Sequence, residues 1–142
     1  MALTLTRRAQ LLAGVGLFAG ASDAGRAAIA EHAVEVEFAG GERIARQGEV
    51  EAGFFLVVSG TVCIVRDGHV LARLGPGEFF GELSLLDGEP RMASAEAEVA
   101  TTCLALPPWE FRNLLETEPG VAAAILKVVA HRLRAVGADY RH

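Results

Sequence analysis

Two side chains of opposite charge, Glu82 and Arg91, lie nine residues apart in a glycine-rich run at residues 75–95. An ionised carboxylate only accepts hydrogen bonds, so Glu82 can hold a sugar hydroxyl but repels a phosphate. A guanidinium donates two parallel, charge-assisted hydrogen bonds to phosphate oxygens, whereas a lysine acts as a point charge. The pair therefore suits a small ligand with hydroxyls and one compact anionic group, such as a ribose fused to a cyclic phosphate.

The residues around the two charges favour the same kind of ligand. Gly81 leads into about one predicted helical turn, whose first backbone N–H groups have no partner within the helix and form an anion site. Pro90 fixes the backbone that leads to Arg91, and Ala93 leaves room beside it. The sequence thus predicts a phosphate-binding segment.

These residues resemble the phosphate-binding cassette of the cyclic nucleotide-binding domain family. The match covers residues 80–94 and reads Phe-Gly-Glu-Leu-Ser-Leu-Leu, a short insert, and then Pro-Arg-Met-Ala-Ser. The resemblance implies that Glu82 binds the ribose 2′-hydroxyl and that Arg91 binds the cyclic phosphate. The other cassette residues that it assigns to the pocket are Phe80, Gly81, Leu83, Ser84, Met92 and Ala93.

Other parts of the chain resemble the same family, so the likeness covers nearly the whole chain. Residues 41–49 and 54–62 resemble its first strands and their turn glycines. Residues 11–20 resemble the helical lead-in, and residues 111–115 and 128–136 resemble the last two helices.

The resemblance also indicates how the base is recognised. Met92 stands where members that prefer cyclic GMP (cGMP) often have a threonine, which favours cyclic AMP (cAMP) as the ligand. The last helix lacks the paired Thr-Ser that bacterial transcription regulators of this fold direct at adenine. Contacts with the base are therefore expected to be apolar, from Ile64 and Leu71 in the barrel and from Val136 or Tyr140 above it.

The family mechanism implies that ligand binding moves the C-terminal helices. Leu85 in the cassette and Phe111 near the start of those helices are the implied switch residues, and they are expected to touch each other. The final helix is expected to close over the base. The implied partners are the cyclic nucleotide and an effector domain or protein, whose identity the sequence leaves open.

Hydrophobic spacing predicts helices at both ends of the chain and strands between them. Residues 34–106 alternate apolar and polar positions between glycine turns, which is typical of a β-sandwich or barrel. With the resemblance, this predicts an antiparallel β-roll or jelly-roll barrel with N-terminal helices and two C-terminal helices. The expected single domain, 1–142, comprises a helical lead-in (1–33), the β-roll (34–106) and the C-terminal helices (108–136).

Charge and composition exclude several other classes. A net charge of −5 argues against non-specific binding to nucleic acid, which requires a basic surface. No run reaches the roughly 18 apolar residues that a membrane span requires. Arg7-Arg8 and the apolar residues after them imitate a secretion signal, but an amphipathic helix is favoured, so a cytoplasmic protein is expected. Cys63 and Cys103 lie in apolar strand-like runs and are interpreted as structural thiols.

Two alternatives come from other classes. A cupin-like metalloenzyme would need clustered histidines, but the four histidines are dispersed in the sequence, so we expect no enzyme activity, metal or cofactor. A ligand-free interaction module of the same fold usually loses the arginine or the glutamate, and this chain has both. The chain ends after the last helix without a helix-turn-helix motif, so it is not expected to be a complete transcription activator by itself.

Overall fold

The computed structural model describes residues 3–13, 18, 21–49, 53–81 and 90–136. Within those residues the strands are β1 (Val34–Phe38), β2 (Arg43–Ala45), β3 (Phe54–Ser59), β4 (Val62–Arg66), β5 (His69–Leu74), β6 (Phe79–Phe80), β7 (Ser94–Ala97) and β8 (Thr101–Leu106). The helices are α1 (Leu5–Ala13), α2 (Asp23–His32), α3 (Pro108–Thr117) and α4 (Pro119–Val136).

The strands pair antiparallel in two four-stranded sheets. The first sheet has the order β1-β8-β3-β6, and the second has the order β2-β7-β4-β5. Helices precede and follow this strand region, as the periodicity predicts. The predicted β-roll with flanking helices is therefore confirmed.

Alternation along β3 divides the interior into two apolar clusters. Phe54 and Leu56 face the helices, where they pack in the cluster that includes Phe111. Phe55 and Val57 point to the opposite face of the strand, toward the second sheet. The first sheet is therefore covered by helices on one face and by the second sheet on the other.

Polar side-chain contacts join α2 to α3 at both ends of the helix pair. Ser22, a residue type typical of helix N-caps, caps α2, since its hydroxyl oxygen accepts from the backbone N–H of Gly25 at 3.0 Å. The same hydroxyl donates to the carboxylate of Glu118, just after α3, at 2.6 Å. At the other end of α2, His32 Nδ1 lies 2.9 Å from the buried carboxylate of Glu110.

The start of α3 and the extent of α4 agree with the sequence, and the apolar face of α4 is buried over only part of its length. Pro108 begins α3, where its missing N–H costs nothing, and α4 runs from Pro119 as expected. Ile125 is buried and Val129 packs against the helix-side core. Helical spacing places Leu133 on the same face, which is expected to pack against the barrel or a partner helix; Leu133 is 66% exposed, so it does not pack on the barrel.

Both cysteines lie in strands, as predicted, and both are free thiols. Cys103 is fully buried, and its burial raises the pKa of the thiol to about 11. Cys63 donates a hydrogen bond to Glu98 at 3.2 Å; burial, followed by this bond, raises its pKa. No helix among the described residues has both the length and the apolar content that crossing a membrane requires.

Candidate functional site

Arg91 is a buried cation, and the backbone of the connection between β2 and β3 holds it through hydrogen bonds. Only 7% of the residue is exposed. Its N–H donates to the carbonyl of Glu49 at 2.9 Å, and its own carbonyl accepts from the N–H of Gly48 at 2.8 Å. Its side-chain Nη2 donates to the carbonyl of Gly53 at 3.0 Å. The connection between β2 and β3 therefore fixes both the main chain and the side chain of the predicted phosphate ligand.

Gly81, the first cassette residue after β6, also contacts Gly53. Its φ of +97° lies in the left-handed region that side chains disfavour. A Cβ placed on Gly81 would lie 2.0 Å from the carbonyl oxygen of Gly53 and 3.3 Å from Nη1 of Arg91. Glycine is therefore required here both by the backbone conformation and by the close approach of a second backbone.

Phe80 anchors the cassette in the barrel interior. It is paired with Phe55 across β3 and β6, and the two rings are stacked with centroids 5.1 Å apart and an interplanar angle of 12°. The buried members of this barrel cluster are Ala45, Val57, Val62, Phe80, Ala95 and Cys103. Ile64, a predicted contact of the base, packs against the same cluster. Phe80, at the start of the cassette, therefore belongs to a buried apolar cluster of the barrel.

Two other predicted ligand contacts, Leu71 and Met92, are exposed. Leu71 has 59% of its surface exposed and is the extra residue of a bulge, since Ile64 pairs with Ala72 and Val65 pairs with Val70. Met92 is 60% exposed, and the neighbouring Ala93 is half-buried. The assignment of these residues to the ligand remains a prediction.

Several predicted residues lie outside the described part of the chain. They are Glu82, Leu83, Ser84, Leu85 and Tyr140, and the side chain of Val136 also falls outside it. Their roles, including the expected contact between Leu85 and Phe111, stay predictions. Phe111 itself is fully buried and stacks on Phe54, with centroids 5.2 Å apart and an interplanar angle of 21°.

The site has the chemistry of an anion receptor. Arg91 supplies a permanent positive charge with five N–H donors, and its low exposure strengthens electrostatic contacts relative to water. Because the chain as a whole carries −5, attraction of an anion must be local. In the described residues, no three His, Cys, Asp or Glu side chains are grouped so that they could hold a metal ion.

Sequence reasoning did not assign Gly48, Glu49 or Gly53 to the site. Gly48 and Gly53 are recognisable as turn glycines, but a turn signal does not reveal which residue the turn contacts. The bond between Gly53 and Arg91 spans 38 positions in the sequence. Only the pairing of the strands brings the two residues together.

A helix-flanked antiparallel β-roll with a buried arginine beside a left-handed glycine defines a ligand-binding domain. The sequence profile of the family described as "Cyclic nucleotide-binding domain" matches residues 35–118, more than half of the chain. The chain therefore belongs to the cyclic nucleotide-binding domain family.

Similar proteins combine this type of domain with different outputs. A CRP-like cAMP-activated global transcriptional regulator of Mycobacterium tuberculosis is 31% identical over 130 residues, which cover 88% of this chain and 58% of that protein. A cyclic nucleotide-gated potassium channel of Rhizobium etli is 36% identical over 92 residues, 65% of this chain and 26% of the channel. The crystal structure of the Thermus thermophilus catabolite activator protein superposes with a TM-score of 0.79 at 35% identity, covering 87% of this chain and 61% of that one. The chain thus spans less than two thirds of each.

Proposed function

We propose that this chain is a regulatory domain that binds a cyclic nucleotide, with cAMP as the preferred ligand and cGMP as the weaker one. The observation that carries the proposal is the buried guanidinium of Arg91, which lies beside the backbone of Gly81 at the edge of an apolar barrel. Membership of the cyclic nucleotide-binding domain family supports the same ligand class.

In this proposal three kinds of contact hold the ligand. Arg91 binds the cyclic phosphate through charge-assisted hydrogen bonds, and Glu82 accepts a hydrogen bond from the ribose 2′-hydroxyl. The base packs on apolar side chains, for which Ile64 is the candidate inside the barrel and Leu71, Met92 and Val136 are candidates at its rim. The apolar ring face of the base therefore packs on apolar side chains, and the anionic phosphate contacts a cation.

The proposed output is a change in the position or mobility of α4. A ligand shifts such an equilibrium only by its difference in affinity for the two states. The relatives connect similar domains to transcription regulation and to a channel, so an effector is the proposed partner and its identity stays open. We propose no catalytic step for the chain. A cytoplasmic location is part of the proposal, and the two free thiols support it.

Calorimetric titration of the chain with cAMP, cGMP and linear 5′-AMP tests the proposal. We expect the tightest binding for cAMP, weaker binding for cGMP, and much weaker binding for 5′-AMP, whose phosphate has an open geometry and an additional charge. If neither cyclic nucleotide gives a binding heat, the chain is an interaction module of the same fold. Equal affinity for 5′-AMP and cAMP would refute the cyclic phosphate as the recognised group.

A further inference from the structure

The backbone of Gly53, the residue just before β3, contacts both Arg91 and Gly81. Its carbonyl oxygen accepts the hydrogen bond from Nη2 of Arg91 at 3.0 Å. The same oxygen lies against the backbone of Gly81, where a Cβ would approach it to 2.0 Å. The next two residues, Phe54 and Phe55, stack on the helix-side core and on the barrel side, respectively.

We propose that Gly53 is a positioning residue of the phosphate site. Its carbonyl oxygen orients the guanidinium of Arg91, and its contact with Gly81 holds the start of the cassette against the same atom. The inference rests on the proposed function, because it names the group that directs Arg91 at the cyclic phosphate. No side chain is involved, so the role belongs to the backbone at this position.

A carbonyl is chemically suited to this task. An arginine side chain has many rotamers, and a fixed hydrogen bond removes part of that freedom before the ligand arrives. A neutral acceptor leaves the positive charge of the guanidinium in place. The Gly53 bond uses one N–H of a group that has five, and the planar fork can contact acceptors on more than one edge. Preorganisation of Arg91 is thus compatible with binding of a phosphate.

Glycine at position 53 keeps this arrangement free of a steric conflict. A Cβ there would lie 3.0 Å from Cε2 of Phe55 and 3.7 Å from Nη2 of Arg91. The ring of Phe55 cannot yield easily, since it stacks on Phe80 directly before Gly81. A side chain at position 53 therefore shifts the Gly53 carbonyl or the Phe55–Phe80 pair, and both movements displace Arg91 relative to the cassette.

The chain offers matched control variants. Gly75, like Gly53, has no left-handed φ, and a Cβ on it would meet nothing within 4 Å. Gly77 has a φ of +89°, close to the +97° of Gly81, and a Cβ on it also meets nothing within 4 Å. Comparing Gly53→Ala with Gly75→Ala, and Gly81→Ala with Gly77→Ala, separates the loss of the contact from the general effect of replacing glycine.

The decisive experiment is a double-mutant cycle on cAMP affinity, with wild type, Gly53→Ala, Arg91→Ala and the double variant measured by calorimetry. We expect Gly53→Ala to weaken binding roughly ten- to a hundredfold when Arg91 is present and less than about twofold when it is replaced by alanine, because coupled residues are not additive. Gly75→Ala should bind like wild type. Urea unfolding of each variant checks that the fold is retained, and Gly81→Ala, which places a Cβ against the same Gly53 carbonyl oxygen, supplies a second variant if Gly53→Ala does not fold.

An equal loss of affinity from Gly53→Ala with and without Arg91 would overturn the positioning role and leave the proposed function intact. An affinity of Gly53→Ala equal to that of wild type would do the same. If wild type itself binds neither cAMP nor cGMP, the proposed function fails, and the positioning role fails with it. The two failures are therefore distinguishable.

Discussion

The ring of Phe54 on β3 stacks on the ring of Phe111 on α3, with centroids 5.2 Å apart. Phe54 directly follows Gly53, whose carbonyl holds Arg91. Gly53 thus contacts Arg91, the residue proposed to bind the phosphate, and the next residue, Phe54, contacts α3. The contact between Phe54 and Phe111 connects β3 with α3, and it is separate from the predicted contact between Leu85 and Phe111.

We predict that Phe111→Leu reduces the response of α4 to cAMP more than it reduces affinity. Leucine keeps an apolar side chain in the core but loses the ring stack, whereas alanine would cost about 3–5 kcal/mol of stability. Hydrogen exchange over residues 121–136, with and without cAMP, measures the response. Trp109→Leu, an exposed aromatic on the same helix, is the control. An unchanged response in Phe111→Leu would exclude this ring from the switch.

Ser22 and Glu118 are predicted to stabilise the domain as a pair. Ser22→Ala removes the cap of α2 and the bond to Glu118, and should lower the free energy of unfolding by about 1 kcal/mol. Glu118→Ala should have a similar or smaller effect, and the double variant should lose less than the sum because the two share one hydrogen bond. Urea denaturation provides the values, with exposed Glu116→Ala as control. Strict additivity would contradict the pairing.

The strands and helices of this fold are predictable because local pattern determines them. Alternation along β3 distinguishes the two faces, Pro108 begins α3, and Ser22 caps α2. Helical spacing defines an apolar face of α4 but not how far along the helix the core of the domain extends, and Leu133 on that face is exposed. The bulge at Leu71 was likewise hidden, since a bulge leaves no signal in apolar spacing.

The site could be predicted only in part. The cassette motif identifies Glu82 and Arg91 by residue type and spacing. The contact of Gly53 with Arg91, which holds the side chain of the predicted phosphate ligand, spans 38 positions. Pairings of this length depend on tertiary packing, so no local pattern in a single sequence reveals them.

The buried thiol of Cys103 predicts a loss of stability at alkaline pH. Because burial raises the folded-state pKa to about 11, above the roughly 8.5 of a free thiol, the protonated form is stabilised by folding. Its contribution is complete below the unfolded pKa and is lost as the pH rises toward 11, by about 3 kcal/mol in all. The difference in unfolding free energy between wild type and Cys103→Ala should therefore be smaller at pH 10.5 than at pH 8. A constant difference would contradict the shifted pKa.

Glu82 is predicted to recognise the ribose rather than the phosphate. Glu82→Gln should weaken cAMP binding less than Arg91→Ala does, since an amide oxygen still accepts a hydrogen bond from the 2′-hydroxyl. The 2′-deoxy analogue of cAMP is the control ligand, and wild type should bind it more weakly than cAMP. If wild type binds the two nucleotides equally, the ribose role of Glu82 is wrong.

The central claim is that Arg91 holds a cyclic phosphate, and calorimetric titration of Arg91→Ala with cAMP tests it most directly. Truncation of one side of a buried charge pair costs about 2–5 kcal/mol, which corresponds to roughly thirtyfold to a few thousandfold weaker binding. Arg91→Lys should recover only part of this loss, since it lacks the planar fork. Arg73→Ala, which removes an exposed arginine paired with Glu98, should bind like wild type. An Arg91→Ala variant that folds and binds cAMP as tightly as wild type would contradict the account.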